Sequence, residues 1–326
     1  METLKIKSEL LQKLRCPCCM SKLRLSSDSL TCSNQQCGVA FPVVNGVCIL
    51  INESDSLFSI NDIIGQQNNK GKSLRKSQRV LYMQKAKKIL PQLGRNLKAE
   101  KIYAKFSDIL HQQKERPQVL IIGCGREKGE GLQNIQDDSS IYFVDTDITI
   151  HDRNCLVCDA HVIPFADQTF DGVIIQAVLE HVVNPFRCVE EIWRVLKKNG
   201  IIYSDTPFMQ QVHEGRYDFT RFTHLGHRFL FRKFEEIESG SVLGPGCALA
   251  WAYNYFLLSF VRSKLSRNFI KIFARLTAFW LKYFDYFLID KPGGIDAASA
   301  NYFLGRKTDR IIPDREMIKQ YRGAQK

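Results

Sequence analysis

The sequence predicts an α/β fold: a largely parallel sheet with helices on both faces, a small cysteine-rich module in front of it and a helical insertion before its last strand. Three observations predict it. Continuous apolar runs of strand length, Gln118 to Ile122 and Phe170 to Gln176, alternate with helical stretches through the middle of the chain. A glycine-rich turn follows the first run directly, and six of the eleven cysteines fall within the first 50 residues. The 326 residues, 44% hydrophobic and 25% charged, exclude disorder for most of the chain and suit two domains, or one with extensions.

The amino-terminal METLKIKSELLQKL mixes charge with single leucines and lacks the apolar core of a secretory signal, so a cytoplasmic chain with reduced thiols is expected. The longest uncharged stretch, Ser239 to Val261, is broken at Gly244-Pro245-Gly246 and leaves too little to span a bilayer.

Residues 1–56 read as a metal-held module. Cys16 and Cys19 form a C-x-x-C, and Cys32 with Cys37 a C-x4-C that follows it. Four thiolates gathered by tight turns make the closed tetrahedral sulfur shell that structural Zn²⁺ prefers, and so short a segment needs such help to fold. The alternative is buried thiols without metal. Cys18 is an ambiguous neighbour, and Cys48, in Val47-Cys48-Ile49-Leu50, is expected to pack in a strand. With Phe41-Pro42-Val43-Val44-Asn45-Gly46-Val47, the segment resembles the zinc-ribbon domain that precedes or partners several methyltransferases.

Residues 57–116 carry most of the formal +12 charge: from Lys70 to Arg116 there are fourteen Lys and Arg against Glu100, Asp108 and Glu115. Leu81, Ile89, Leu93, Leu97, Ile102, Phe106, Ile109 and Leu110 recur at helical spacing, predicting amphipathic helices interrupted near Pro91 and Gly94. The stretch is either a solvated helical face or a surface for a polyanion, nucleic acid or acidic lipid.

From 117 to 310 the main domain is expected. Gly123-Cys124-Gly125 follows the strand Gln118 to Ile122, where a glycine turn lets backbone approach a ligand. A second strand from Ile141 ends in Asp145-Thr146-Asp147, about 20 residues past the loop, where an acid can bond a ribose. Asp159-Ala160 precedes Ile163-Pro164-Phe165. The strand Phe170 to Gln176 leads into Val178-Leu179-Glu180-His181, and Arg194 to Gly200 closes a helix before a strand from Ile201 to Ser204.

In this order and spacing, these motifs resemble the class I S-adenosylmethionine-dependent methyltransferases of the type 11 group. The resemblance, over roughly Gln118 to Lys307, implies a Rossmann-like seven-stranded sheet with S-adenosylmethionine as cofactor. It places Gly123 and Gly125 beneath the methionine moiety, Asp147 (or Asp145) on the ribose, Asp159 on the adenine amino group with Ala160 beside the ring, and Gln176 at the strand end facing the cofactor. Ile121 stands where the family usually has an acid, so either another group meets the cofactor's amino group or binding is lost.

The run from Pro207 to Phe222 follows the fifth strand at the carboxyl edge and is dense in hydrogen-bonding groups. His213 is the first candidate for general base and His181 the second, with Tyr217, Asp218 and Arg221 as substrate-orienting groups. Asp171 and Glu180 read equally as caps or surface acids. Phe234 to Ser241 reads as another strand, and Asn301 to Lys307 resembles the last strand of that methyltransferase group, which implies an aromatic, basic helical insertion at about 246–295 and a tail at 311–326. The insertion either packs on its own domain, forms a homodimer, or lies peripherally on the inner membrane face.

The motif Asp218-Phe219-Thr220-Arg221-Phe222-Thr223-His224-Leu225-Gly226-His227-Arg228 resembles methyltransferases of surface-polysaccharide pathways, which implies a small or lipid-linked saccharide acceptor. Two alternatives remain at this level: an RNA methyltransferase, and a non-catalytic methyltransferase-fold partner or scaffold.

Overall fold

The computed structural model describes residues 4–26, 28–72, 90–127, 129 and 131–325, the side chains of 67–72 excepted. In chain order its strands are β1 (Leu23–Leu25), β2 (Ser29–Cys32), β3 (Ala40–Val44), β4 (Val47–Leu50), β5 (Gln118–Ile122), β6 (Tyr142–Asp147), β7 (Leu156–Cys158), β8 (Phe170–Gln176), β9 (Leu196–Pro207), β10 (Phe234–Leu243) and β11 (Ala300–Lys307). They form one sheet in the order β1-β2-β3-β4-β7-β6-β5-β8-β9-β11-β10. From β7 to β9 neighbours run parallel, and β11 lies antiparallel between β9 and β10. These are the seven strands expected of a Rossmann-like sheet. Strand order reverses between β5 and β8, so a crevice opens outside their carboxyl ends.

The cysteine-rich module extends this sheet. Asn45 and Gly46, with φ of 52° and 73°, make the two-residue turn that joins β3 to β4. β4 then pairs in parallel with β7. All four residues of β4 are buried: Cys48 and Leu50 join the core on one face, Val47 and Ile49 a smaller cluster on the other. A strand covered on both faces shows no polar alternation, which is why Val47 to Leu50 reads as a continuous apolar run.

Helices cover both faces. The helix Ala99–Gln113 buries Ile102, Tyr103, Phe106 and Leu110, a stripe at helical spacing. Gly172 lets it come close, since a Cβ there would stand 2.8 Å from Phe106 Cζ. The opposite face takes the helix Pro185–Val195, which buries Cys188, Val189, Ile192 and Val195 and is capped by Asn184 accepting from the Arg187 amide.

The helix expected to end near Gly200 ends at Val195, and β9 begins at Leu196. Leu196 is buried opposite Phe170, and the register shifts before Ile201 pairs with Gly172. Lys197 in the intervening bulge reaches Asp171 at 2.8 Å. Asp171 also accepts from the Gln118 amide at 2.9 Å and Lys114 at 3.3 Å, so it holds strand ends together.

Eight of the fourteen cations between Lys70 and Arg116, those from Lys70 to Lys88, lie outside the described side chains, as do Leu81 and Ile89. Between β10 and β11 the insertion contains helices Pro245–Leu258 and Lys264–Ala278, followed by short turns to Asp296. Its buried Asp285 accepts from the Gly246 and Cys247 amides at 2.6 and 3.0 Å, capping the first helix from the far end of the insertion.

Candidate active site

Four thiols converge in the ribbon. Cys16 and Cys37 Sγ stand 3.8 Å apart, Cys19 and Cys32 Sγ 3.4 Å, and all four lie within 4.8 Å of one another. Ligands about 2.3 Å from a tetrahedral Zn²⁺ are separated by roughly 3.8 Å, so the set fits such an ion. Cys18 points away to Asn52, and Cys48 is buried in β4.

At the carboxyl ends of the parallel strands lies a cavity of about 950 Å³, lined among others by Gly123, Gly125, Asp147, Asp159, Ala160 and His181. Gly123 has φ of 70°, and a Cβ there would sit 2.3 Å from Val178 Cγ2. This position therefore needs glycine for conformation and for space. Asp147 accepts from the Gly125 amide at 3.0 Å and the Thr149 amide at 3.0 Å, and His151 Nε2 lies 3.4 Å away. Burial works against its charge, but these donors outweigh burial and hold its pKa below the ordinary carboxylate range. Asp159 behaves alike: donors from His161 and from Ser56, at 2.5 Å, overcome its burial. Asp145 does not line the cavity; Arg153 and Gln136 engage it at 3.3 Å. Gln176 does not line it either, and its side-chain Oε1 accepts from the Tyr103 hydroxyl at 3.0 Å.

The residues that roof this cavity were not singled out from sequence: Leu57, Phe58, Ile63 and Gln66, at the start of the basic connector. Phe58 stacks on Tyr217 with centroids 5.7 Å apart. Ile121 is buried within β5, and among the described residues Asp62 and Glu214 are the other carboxylates lining the cavity.

A second cavity, of about 580 Å³, shares Ala177 with the first. Ala177 has φ of 51° and its amide donates to the Asp205 carbonyl and Oδ1, both at 3.1 Å. This non-glycine residue in the left-handed region turns the chain from β8 into the segment that separates the cavities. Gln176, Glu180, Asp205, His213 and Asn254 face the second cavity, together with Arg95, Lys271 and Arg275.

Glu180, His181 and His213 meet at the junction. Glu180 Oε1 lies 3.6 Å from His181 Nε2 and 3.8 Å from His213 Nε2, and the two imidazoles pack edge to face at 4.8 Å. Burial raises the Glu180 pKa to about 8, and neither carboxylate oxygen has a hydrogen-bond partner. His181 Nδ1 donates to the Tyr217 carbonyl at 2.9 Å, which leaves Nε2 to accept, and burial lowers its pKa. His213 turns Nδ1 toward Asp218 Oδ2 at 3.5 Å. Such a group can share a proton, and its donor set also suits a divalent cation.

Of the substrate-orienting candidates, Tyr217 walls the first cavity, whereas Asp218 and Arg221 pair with each other and line a third cavity, of about 490 Å³, beside Tyr255. Arg221 pushes the Asp218 pKa down to about 2 and also holds the Gln210 carbonyl at 2.9 Å, while Asp218 accepts from the His213 amide at 2.9 Å. This pair sets the loop that presents His213. Glu180 and Asp205 went unrecognised as site residues, although Glu180 stands in the quoted Val178-Leu179-Glu180-His181. A carboxylate in that position has no signature of burial in its own sequence neighbourhood. Burial of Asp205 raises its pKa to about 6.

A family model described as a methyltransferase domain matches residues 120–204. A search of curated proteins gives no match. Solved structures that resemble the fold include a Galdieria sulphuraria protein assigned as a sarcosine dimethylglycine methyltransferase, at 15% identity and TM-score 0.42, covering 66% of this chain and 87% of that one. A phosphoethanolamine N-methyltransferase 2 from Haemonchus contortus, in complex with phosphomonomethylethanolamine and S-adenosylhomocysteine, has 15% identity and TM-score 0.41 over 64% of this chain and 53% of that one. The YcgJ protein of Bacillus subtilis has 14% identity and TM-score 0.36 over 64% and 100%. The family match runs from within β5 to within β9, a segment that supplies the glycine turn and the strand ends lining the first cavity, and supports a methyltransferase fold.

Proposed function

We propose that the chain transfers a methyl group from S-adenosylmethionine, held in the first cavity, to an acceptor oxygen presented from the second. The carrying observation is the juxtaposition of the two cavities at Ala177, with Glu180, His181 and His213 at their boundary. Gly125 gives the cofactor open space, since a Cβ there would meet nothing nearer than 3.8 Å. Asp147 and Asp159 are charged acceptors for its ribose and adenine. When bound, the cofactor supplies an electrophilic methyl group on a sulfonium.

The chain's own task is to orient the acceptor and take its proton. His213 is the candidate for this: its Nδ1 donates to the Gln211 carbonyl at 3.4 Å, which leaves Nε2 to accept, and the Asp218 carboxylate 3.5 Å from Nδ1 would stabilise the imidazolium. Glu180 stays protonated near neutral pH, so it adds no negative charge beside an anionic acceptor. Arg95, Lys271 and Arg275 give the second cavity a cationic wall. These features suit a saccharide bearing an anionic group, such as a phosphate-linked carrier. In the ribbon, Zn²⁺ bound by Cys16, Cys19, Cys32 and Cys37 would have a structural role, because a closed sulfur shell leaves no open position.

The test has two stages. Calorimetry with S-adenosylmethionine should show binding, and none at millimolar cofactor would reject the enzyme in favour of a scaffold. Labelled-methyl transfer should then be compared between extracted lipid-linked saccharides and RNA. Label in RNA alone, with affinity falling steeply in salt, would replace the saccharide reading. His213→Gln should lower turnover by about 10²- to 10⁴-fold with cofactor affinity unchanged, because His213 faces only the second cavity.

A further inference from the structure

The insertion is built inside out. In the helix Lys264–Ala278, Leu265, Phe269, Ile272, Phe273 and Leu276 recur every three or four residues and are all exposed, Leu265 to 83% and Phe269 to 68%. The opposite side buries only Ala274 and Ala278 and directs Lys271 and Arg275 into the wall of the second cavity. An amphipathic helix of a globular domain normally does the reverse, turning its apolar stripe to the core. The exposed stripe continues into neighbouring turns. Of the twenty-five exposed large hydrophobic residues described, thirteen lie between Leu249 and Phe287. An apolar concentration of this kind on one element marks a contact surface.

Charge selects the occupant. From Leu249 to Phe287 there are six cations and one acid, the buried Asp285; Lys271 and Arg275 line the second cavity, which leaves Arg262, Lys264, Arg267 and Lys282. A second copy of the chain meeting this face symmetrically would set cation against cation with no exposed acid in that stretch to answer it. An anionic bilayer surface complements both properties: apolar side chains enter the headgroup boundary while Lys and Arg extend along its edge to lipid phosphates. Trp280, Tyr283 and Tyr286, each about half exposed, supply the amphipathic aromatics that favour this interface. No helix among the described residues is long and apolar enough to cross a membrane, so the contact would be peripheral.

We infer that the face formed by the helix Lys264–Ala278 and the turns after it is a docking surface for an anionic lipid bilayer. The docking surface stands independently of methyl transfer. Joined to that reading, it brings one wall of the acceptor cavity to the lipid, because Lys271 and Arg275 belong to the same helix.

Vesicle flotation of the full chain tests it. Vesicles of phosphatidylcholine with about 30% phosphatidylglycerol should carry the protein up, pure phosphatidylcholine should carry at least about tenfold less, and salt should weaken the binding. Phe269→Asp with Leu276→Asp should reduce partitioning at least about tenfold, and Lys264→Glu should reduce it in the anionic vesicles. Both sets alter exposed side chains, and unchanged cofactor binding by calorimetry checks that the fold persists. Absence of flotation with anionic vesicles would overturn the inference. So would a concentration-dependent dimer, seen by sedimentation and abolished by the same double substitution. If flotation occurs and cofactor binding does not, the docking surface holds and the methyl-transfer reading falls.

Discussion

Glu180 offers the sharpest quantitative test, because its burial makes a prediction about stability that is separate from catalysis. Its side chain is fully buried, its oxygens have no hydrogen-bond partner, and its pKa rises from an ordinary 4.5 to about 8. The native state therefore binds this proton more tightly than the unfolded chain does. The stabilisation is fully present below the unfolded value and is lost as pH rises through about 8. With those two values, the carboxyl alone should cost the wild type about 3 kcal/mol of stability between pH 5.5 and 8. Glu180→Gln keeps the shape and cannot ionise, so it should lack this loss. Urea denaturation of both proteins at the two pH values isolates the effect from titrating groups remote from Glu180, while Asp205, whose charge also raises the Glu180 pKa, stays coupled to it. The variant should gain on the wild type by about 2 to 4 kcal/mol from pH 5.5 to pH 8. Parallel pH dependences, within about 0.5 kcal/mol, would refute the assignment of Glu180 as a buried, uncompensated acid.

Four further outcomes are expected. Metal analysis of the purified chain should give about one Zn²⁺ per molecule, and Cys16→Ser with Cys19→Ser should abolish it; full retention in the double variant would reject the four-thiol site. Asp147→Ala and Asp159→Ala should each weaken S-adenosylmethionine binding by about 1.5 to 3 kcal/mol, roughly 10- to 150-fold, as read by calorimetry. Gly123→Ala should lower the thermal midpoint, because the substitution combines a positive φ with a Cβ 2.3 Å from Val178; a midpoint equal to wild type would show that the loop shifts freely. Asp285→Ala should cost about 1 to 3 kcal/mol by leaving the buried Gly246 and Cys247 amides without their acceptor, measured by denaturant unfolding.

What was legible in the sequence was whatever periodicity or turn chemistry encodes locally. Gln118 to Ile122 and Phe170 to Gln176 are strands with the bounds expected. The parallel attachment of β4 to β7 was not legible, since an apolar run states that a strand is buried but not beside which partner. The site divides in the same way. Gly123, Gly125, Asp147 and Asp159 lie together because strand ends in a parallel sheet converge on one edge. Asp145 and Asp147 share a strand face by alternation, and only the packing of Arg153 shows which faces the cavity. Asp218 and Arg221 have the composition of a substrate site, and they pair with each other, shape the loop and line the third cavity. Their sequence cannot distinguish charges that meet a ligand from charges that meet across three residues.

The cost of the junction bears on whether the chain acts as an enzyme or as a scaffold. Burying an acid without partners and holding Ala177 at a positive φ are both unfavourable for folding. A scaffold would gain stability from Gln or Leu in place of Glu180, and nothing in its docking would require an acid beneath two imidazoles. An enzyme gains something from the same arrangement: a group that holds its proton near neutral pH, beside two histidines, at the one place where both cavities meet. Strain and desolvation concentrated at a cavity boundary, with the surrounding sheet well packed, follow the pattern of a site that trades stability for chemistry. The pH experiment on Glu180 therefore also weighs the two functions. A variant more stable at pH 8 that has lost methyl transfer would show that the unfavourable burial serves turnover. A variant that is more stable and equally active would show that it does not.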